Sequence, residues 1–245
     1  MMSSPEFRVF PTAEATAEAV AAYLAEQLAS TPAMRLGLAT GNTFVPIYAA
    51  LVELHKAGGF SFARTESFNL DEYIGLPPGH PASFAAYMQQ HLFSQVDLPE
   101  GRGHLPGVLG DVAAACTDYE VAITAGGGID LQLLGIGRNG HIGFNEPGSA
   151  FDSRTREVAL TPSTREANQR DFPPGESVPP SAVTMGIGTI LEARQIVLVA
   201  IGASKVEALD AAFRQAPSPD CPASALQAHP NVIVFADQAA IPNGV

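Results

Sequence analysis

Two stretches, IDLQLLGI at 129–136 and QIVLVAIG at 195–202, are almost unbroken apolar runs that end in small residues. A strand with one wet face alternates apolar and polar side chains. A strand of this kind is dry on both faces, which requires a parallel sheet with a layer packed on each side. That requirement excludes most small folds.

The rest of the chain fits the same plan. FRVF (7–10), MRLGLA (34–39), ESFNL (66–70) and VIVFAD (232–237) read as further strands. Helical stripes read at 13–29, 43–57, 82–94, 111–125 and 203–215, the first carrying Val20, Tyr23, Leu24 and Leu28 on one side. Pro46 sits in the first turn of the second helix, where its missing donor is harmless, and Gly58 and Gly59 end it. Strand and helix alternate, so the expected architecture is α/β: a doubly wound, mostly parallel open sheet with helices on both faces, a Rossmann-like three-layer sandwich. Residues 1–245 are expected to form a single domain, with a candidate lid around 156–182 that contains the proline-rich PPGESVPP (173–180). Ligands of such sheets sit at the carboxyl ends of the strands.

Charge narrows the partners. The chain carries a formal charge of −12, which disfavours polyphosphate backbones, so no nucleic-acid partner is expected. No apolar stretch approaches membrane-spanning length and no secretory signal is visible, so no membrane partner and a cytoplasmic location are expected. Cys116 and Cys221 form no metal or C-x-x-C pattern. Lysine is scarce: only Lys56 and Lys205 occur, against eleven arginines.

Five stretches carry chemistry. In LGLATGNTFVP (36–46) a strand runs into the small polar turn Thr40, Gly41, Asn42, Thr43 and then a helix. Free amides at such a turn suit a phosphate, although a helix start capped by Asn42 or Thr43 explains the same letters. In AIGASKVEAL (200–209) a second strand-turn-helix places Lys205 in a first helical turn, where a cation opposes the helix dipole and a bound anion would justify it. Arg170, in STREANQRDF (163–172), could grip a phosphate through its paired donors or simply stand in solvent. FNLDEY (68–73) puts Asp71 and Glu72 at a strand end, where a partly desolvated carboxylate can act as a general base.

The last is GIGRNGHIGFNEPG (135–148). Its first letters fit the dinucleotide pattern G-x-G-x-x-G, but that reading needs a helix directly afterwards. Gly143, Pro147 and Gly148 argue against one, so no nicotinamide cofactor is expected. His141 and Glu146 instead offer a neutral-pH proton carrier and a carboxylate to tune it. Their spacing is no metal signature, and no metal is assigned.

Taken together, GLATGNTFVPIYAAL, SFNLDEYIGLPPGHPASFAAYM, LLGIGRNGHIGFNEPGSAFDSRTR, LTPSTREANQRDF, AVTMGIGTILEARQIVLVAIGASKVEAL and ASALQAHPNVIVFAD resemble the glucosamine-6-phosphate deaminases (isomerases) over about residues 36–237. The resemblance implies an enzyme that converts glucosamine 6-phosphate and water into fructose 6-phosphate and ammonium in amino-sugar catabolism, without a cofactor. It implies Asp71 as the base that moves a proton between C2 and C1, His141 as the group that helps open the sugar ring, and Glu146 as its partner. It places the phosphate on Thr40, Gly41, Asn42 and Thr43 with Arg170 and Lys205. Many members have Asp where Asn139 stands here. The allosteric members' effector pocket is matched at Ser149 and Arg156 but not at Ala150 and Val158, their longer tail has no counterpart before Val245, and SPDCPA before SALQAHP is short. The expectation is a monomer or small homo-oligomer without activation by N-acetylglucosamine 6-phosphate, not a hexamer. The competing readings are a hydrolase of the 6-phosphogluconolactonase kind, a non-catalytic sugar-phosphate sensor and, most weakly, a nicotinamide enzyme.

Overall fold

A computed structural model describes residues 5–242. Strands β1 (Glu6–Phe10), β2 (Arg35–Leu38), β3 (Glu66–Asn69), β5 (Gly103–His104), β6 (Leu131–Gly135), β9 (Gln195–Ala200) and β10 (Val232–Asp237) form one sheet, in the order β1-β10-β9-β6-β2-β3-β5. Every pairing in it is parallel. The apolar runs occupy β6, β9 and β10, where nearly every residue is buried, as their composition demands.

Helices α1 (Ala13–Ser30), α2 (Val45–Lys56), α4 (Val112–Ala125) and α7 (Val206–Phe213) make the crossovers. Thr12 caps α1 by accepting from the Ala15 amide, and Asp111 caps α4 in the same way from Ala114. Gly37 lies in register with Phe68 and Gln132, so these three share a sheet face. Tyr119 of α4 packs edge-on against Phe68 there. Gly135 lies on the opposite face, where Phe44 brings in α2. The sheet therefore carries helices on both sides.

The winding reverses between β2 and β6. From β2 the chain moves outward to β3 and β5; from β6 it moves the other way to β9 and β10. The turn at 40–43, the loop at 136–148 and the turn at 201–205 thus leave the carboxyl ends of three adjacent strands at the switch point, where open α/β sheets bind ligands.

One feature of the fold departs from the expectation. Strands β4 (Asp71–Tyr73), β7 (Arg156–Ala159) and β8 (Ser181–Thr184) form a separate antiparallel sheet in the order β4-β8-β7. Each has only three or four residues, and β4 is charged at two of three positions, so none shows the alternation that marks a strand. Three short α-helices, α3 (Phe84–His91), α5 (Pro162–Asn168) and α6 (Ile187–Leu191), and five 3-10 turns complete the described residues. Leu160, Phe172 and Val178, all between 156 and 182, pack with Tyr73, Phe144 and Ala182 in a hydrophobic cluster separate from the main core.

Candidate active site

Asp71 opens β4 directly after β3 and is paired in register with Thr184 of β8. Its carboxyl is buried, with 6% of the residue exposed. A Cβ on Gly143 would stand 3.5 Å from Asp71 Oδ2 and 3.1 Å from Thr184 Oγ1. The left-handed backbone at Gly143, φ +55°, thus carries the 137–148 loop close past the carboxylate. Burial, reinforced by the neighbouring Glu72 charge, pushes the Asp71 pKa up to about 8.

Glu72 is committed elsewhere. Its carboxylate accepts from the amides of Tyr73, Phe84 and Ala85 at 2.9–3.0 Å and so closes the amino end of α3. Burial raises its pKa while these three amides oppose the rise. Of the two adjacent acids, only Asp71 has a side chain with no hydrogen-bond partner among the described residues.

Residues 137–148 form turns and no helix, with a short bridge between Ile142 and Asn145. The dinucleotide pattern therefore lacks the helix it needs. In its place stands a relay. Asn139 Nδ2 donates to Glu146 Oε2 at 2.8 Å, which fixes the amide orientation, since an ionised carboxylate only accepts. Asn139 Oδ1 then faces His141 Nδ1 at 2.6 Å, so Nδ1 carries the proton and donates, leaving Nε2 as the basic nitrogen. Glu146 Oε2 lies 3.7 Å from the same Nδ1. Burial lowers the His141 pKa, Glu146 opposes that, and Lys205 adds to it. Burial thus holds the ring toward its neutral form, which can take a proton.

The turn at 40–43 is shaped by its carbonyls. Tyr48 donates to Ala39 O at 2.6 Å and Tyr87 to Gly41 O at 2.8 Å. No side chain caps α2, and among the described residues the amides of Thr40, Gly41, Asn42 and Thr43 have no internal acceptor. Gly41, at φ +109°, makes that backbone path accessible. A row of free N–H groups at the carboxyl end of a parallel strand has the chemistry to receive an anion.

Lys205 ends a 3-10 turn, with α7 starting at Val206. Its Nζ donates to Ile136 O at 2.7 Å, at the end of β6. The ammonium is thereby placed beside the His141 loop, and burial, then Arg138, lowers its pKa. Arg170 is not brought into contact with this group. Its side chain is 71% exposed and pairs loosely with Asp171 at 3.9 Å. Asp171 does lie near enough to Tyr87 for its charge to add to the burial that raises that phenol, so the turn bearing Arg170 stands near the 40–43 turn.

Thr164, Thr184, Tyr48 and Tyr87 belong to this constellation and were not foreseen. A sequence signal existed for the first: Thr161-Pro162-Ser163-Thr164 is a helix start, with Thr161 accepting from the Thr164 amide.

Comparison with known proteins agrees with the geometry. The family model described as glucosamine-6-phosphate isomerases/6-phosphogluconolactonase matches residues 11–234. The glucosamine-6-phosphate deaminase of Rhodopirellula baltica is 51% identical over 236 residues, 96% of this chain and 94% of that protein. That of a Geobacillus species is 51% identical over 216 residues, 88% of this chain and 86% of the relative. Among solved structures, a monomeric glucosamine-6-phosphate deaminase superposes with a TM-score of 0.92 at 42% identity, covering 96% of this chain and 98% of that one. A 6-phosphogluconolactonase from Thermotoga maritima reaches 0.75 at 20% identity over 96% of this chain and 100% of its own, a likeness of fold alone. Among the described residues no helix is long and apolar enough to cross a membrane. The chain belongs to the glucosamine-6-phosphate deaminase family.

Proposed function

We propose that this site converts glucosamine 6-phosphate and water into fructose 6-phosphate and ammonium. The observation that carries the reading is a buried carboxyl, Asp71, with no hydrogen-bond partner among the described residues, passed closely by the loop that bears His141, while a row of free amides follows the neighbouring strand β2. In this reading the phosphate rests on the amides of residues 40–43, beside the Lys205 ammonium, and Arg170 reaches it from the 156–182 segment, which serves as a lid. His141 Nε2 takes the anomeric hydroxyl proton as the C1–O5 bond breaks and passes it to the ring oxygen, leaving the open-chain aldehyde. Asp71 removes the proton from C2, giving an enolamine, and returns a proton to C1. The resulting C2 iminium adds water and expels ammonia, so one C–N bond is exchanged for the C2 carbonyl. The established likeness to a monomeric relative also supports a monomer, which light scattering would check.

An ammonium-release assay on glucosamine 6-phosphate, run beside lactone hydrolysis with 6-phosphogluconolactone, tests the assignment. Ammonium without lactonase activity is expected; lactone hydrolysis without ammonium would reverse it. Lys205→Met should raise KM by about 10–100-fold with a smaller effect on kcat, the size of a lost charge-assisted hydrogen bond. An unchanged KM would remove Lys205 from the phosphate site.

Asn139 makes a second prediction. In Asn139→Asp a carboxylate faces His141 Nδ1 and also stands 2.8 Å from the Glu146 carboxylate, where a donor was. The added negative charge should raise the His141 pKa by about one unit or more, moving that limb of the kcat/KM profile to higher pH. A profile that shifts downward would contradict the relay.

A further inference from the structure

The Glu146 carboxylate has a second donor. While Oε2 accepts from Asn139, Oε1 accepts from the hydroxyl of Thr164, which belongs to α5 and so to a different part of the chain. Thr164 is nearly buried, at 9% exposure. Its own oxygen accepts from Thr161 Oγ1 at 2.9 Å, and the Thr164 amide donates to the same Thr161 oxygen at 3.2 Å. The directions are consistent along the whole chain. Thr161 donates to Thr164, Thr164 to Glu146, Asn139 to Glu146, and His141 to Asn139. Each hydroxyl proton is used once, and the donors converge on the one ionised group.

We propose that Thr164 is a positioning residue for the reaction: its hydroxyl holds the Glu146 carboxylate in the plane that serves His141, and so ties the 156–182 segment to the ring-opening histidine. The inference rests on the proposed deaminase reading. Three facts support it. Asn139 cannot carry charge, so Glu146 is the anion that tunes His141. A carboxylate 3.7 Å from Nδ1 can swing away unless its far oxygen is held. The far oxygen is held by α5, where Asn168 also donates to Tyr73 Oη at 2.8 Å and fixes the helix against β4. The charged groups facing His141 are Glu146 on its own loop and Lys205 from the turn before α7, with Arg138 beside Lys205.

Thr164→Val keeps the shape and removes the donor. Without that hold, Glu146 swings away from His141 Nδ1 and its charge no longer opposes the lowering of the histidine pKa. The histidine limb of kcat/KM should fall by about half to one pH unit, the scale of one hydrogen bond to a charged group. Loss of the carboxylate's fixed position should lower kcat about five- to tenfold with KM nearly unchanged. Thr164→Ser should restore both. A Thr164→Val profile that superposes on the parent's, or a Ser variant as impaired as the Val one, overturns the proposal. Thr164→Ala gives the same readings if valine disturbs the fold. Titration of the His141 ring by NMR in parent and variant keeps the two claims apart. No ammonium from the parent defeats the deaminase reading, whereas an unmoved His141 titration in the variant defeats the role of Thr164.

Discussion

Asp71→Asn should abolish most turnover and at the same time stabilise the protein. A positioned general base contributes about 10²–10⁴ in rate, so ammonium release should fall by that factor. Stability moves the other way because the Asp71 carboxyl is buried and its pKa is raised from 3.8 to about 8. The sign follows from linkage. The unfolded chain releases this proton near pH 4, while the fold holds it to about pH 8. Between these values the fold loses stability as pH rises, because ionising a carboxyl in a dry cleft is unfavourable. Asparagine removes that loss. At pH 8 the variant should be more stable by up to about 5 kcal/mol, or roughly 10–20 °C in Tm for a chain of this size. The gap should close as pH falls toward 4. Thermal melts at three pH values check this; a variant that melts below the parent at pH 8 would show that Asp71 is structural. The same ionisation predicts that kcat/KM of the parent rises through about pH 8.

Gly137→Ala is the second large effect, and it acts on a different group. A Cβ at Gly137 would stand 2.2 Å from His141 Cε1 and Nδ1. The neighbour is an imidazole already held by Asn139 Oδ1, so the ring must leave its hydrogen bond for the methyl to fit. The loop is braced by Gly137 N donating to His141 O at 2.9 Å, which limits backbone retreat. Displacing a reacting group by about 1 Å costs on the order of 10²-fold in rate. A stability loss of about 1–3 kcal/mol from overpacking should accompany it. Steady-state kinetics and melting on the same preparation separate the two. Normal kcat would mean that the ring is not needed where it stands.

The two glycine patterns illustrate what was legible in the chain. The turns at 40–43 and 202–205 could be placed as strand-to-helix turns because each ends a buried strand and leads into a helix, while the letters alone fit a capped helix start as well as an anion turn. The strands β6, β9 and β10 could be read because dry-on-both-faces composition is itself a fold constraint. The 137–148 loop was legible by exclusion, since Pro147 and the glycines deny the helix a nucleotide site needs. The small sheet was not legible. Its strands are short, and β4 contains the buried acids Asp71 and Glu72, of which only Glu72 is compensated, by the free amides that open α3. That arrangement depends on contacts far apart in sequence. The same holds for Thr164, which meets Glu146 across 18 positions, and for Arg170, which no local rule could place.

The claim that a single carboxylate moves hydrogen off C2 admits a direct measurement. Glucosamine 6-phosphate bearing deuterium at C2 is turned over by the parent enzyme, and NMR follows that position while ammonium is assayed. Isomerisation predicts that deuterium leaves C2 one-for-one with ammonium released, appearing at C1 of fructose 6-phosphate or in the solvent. Ammonium released with deuterium still on C2, as in direct replacement of the amine by water, would contradict the account.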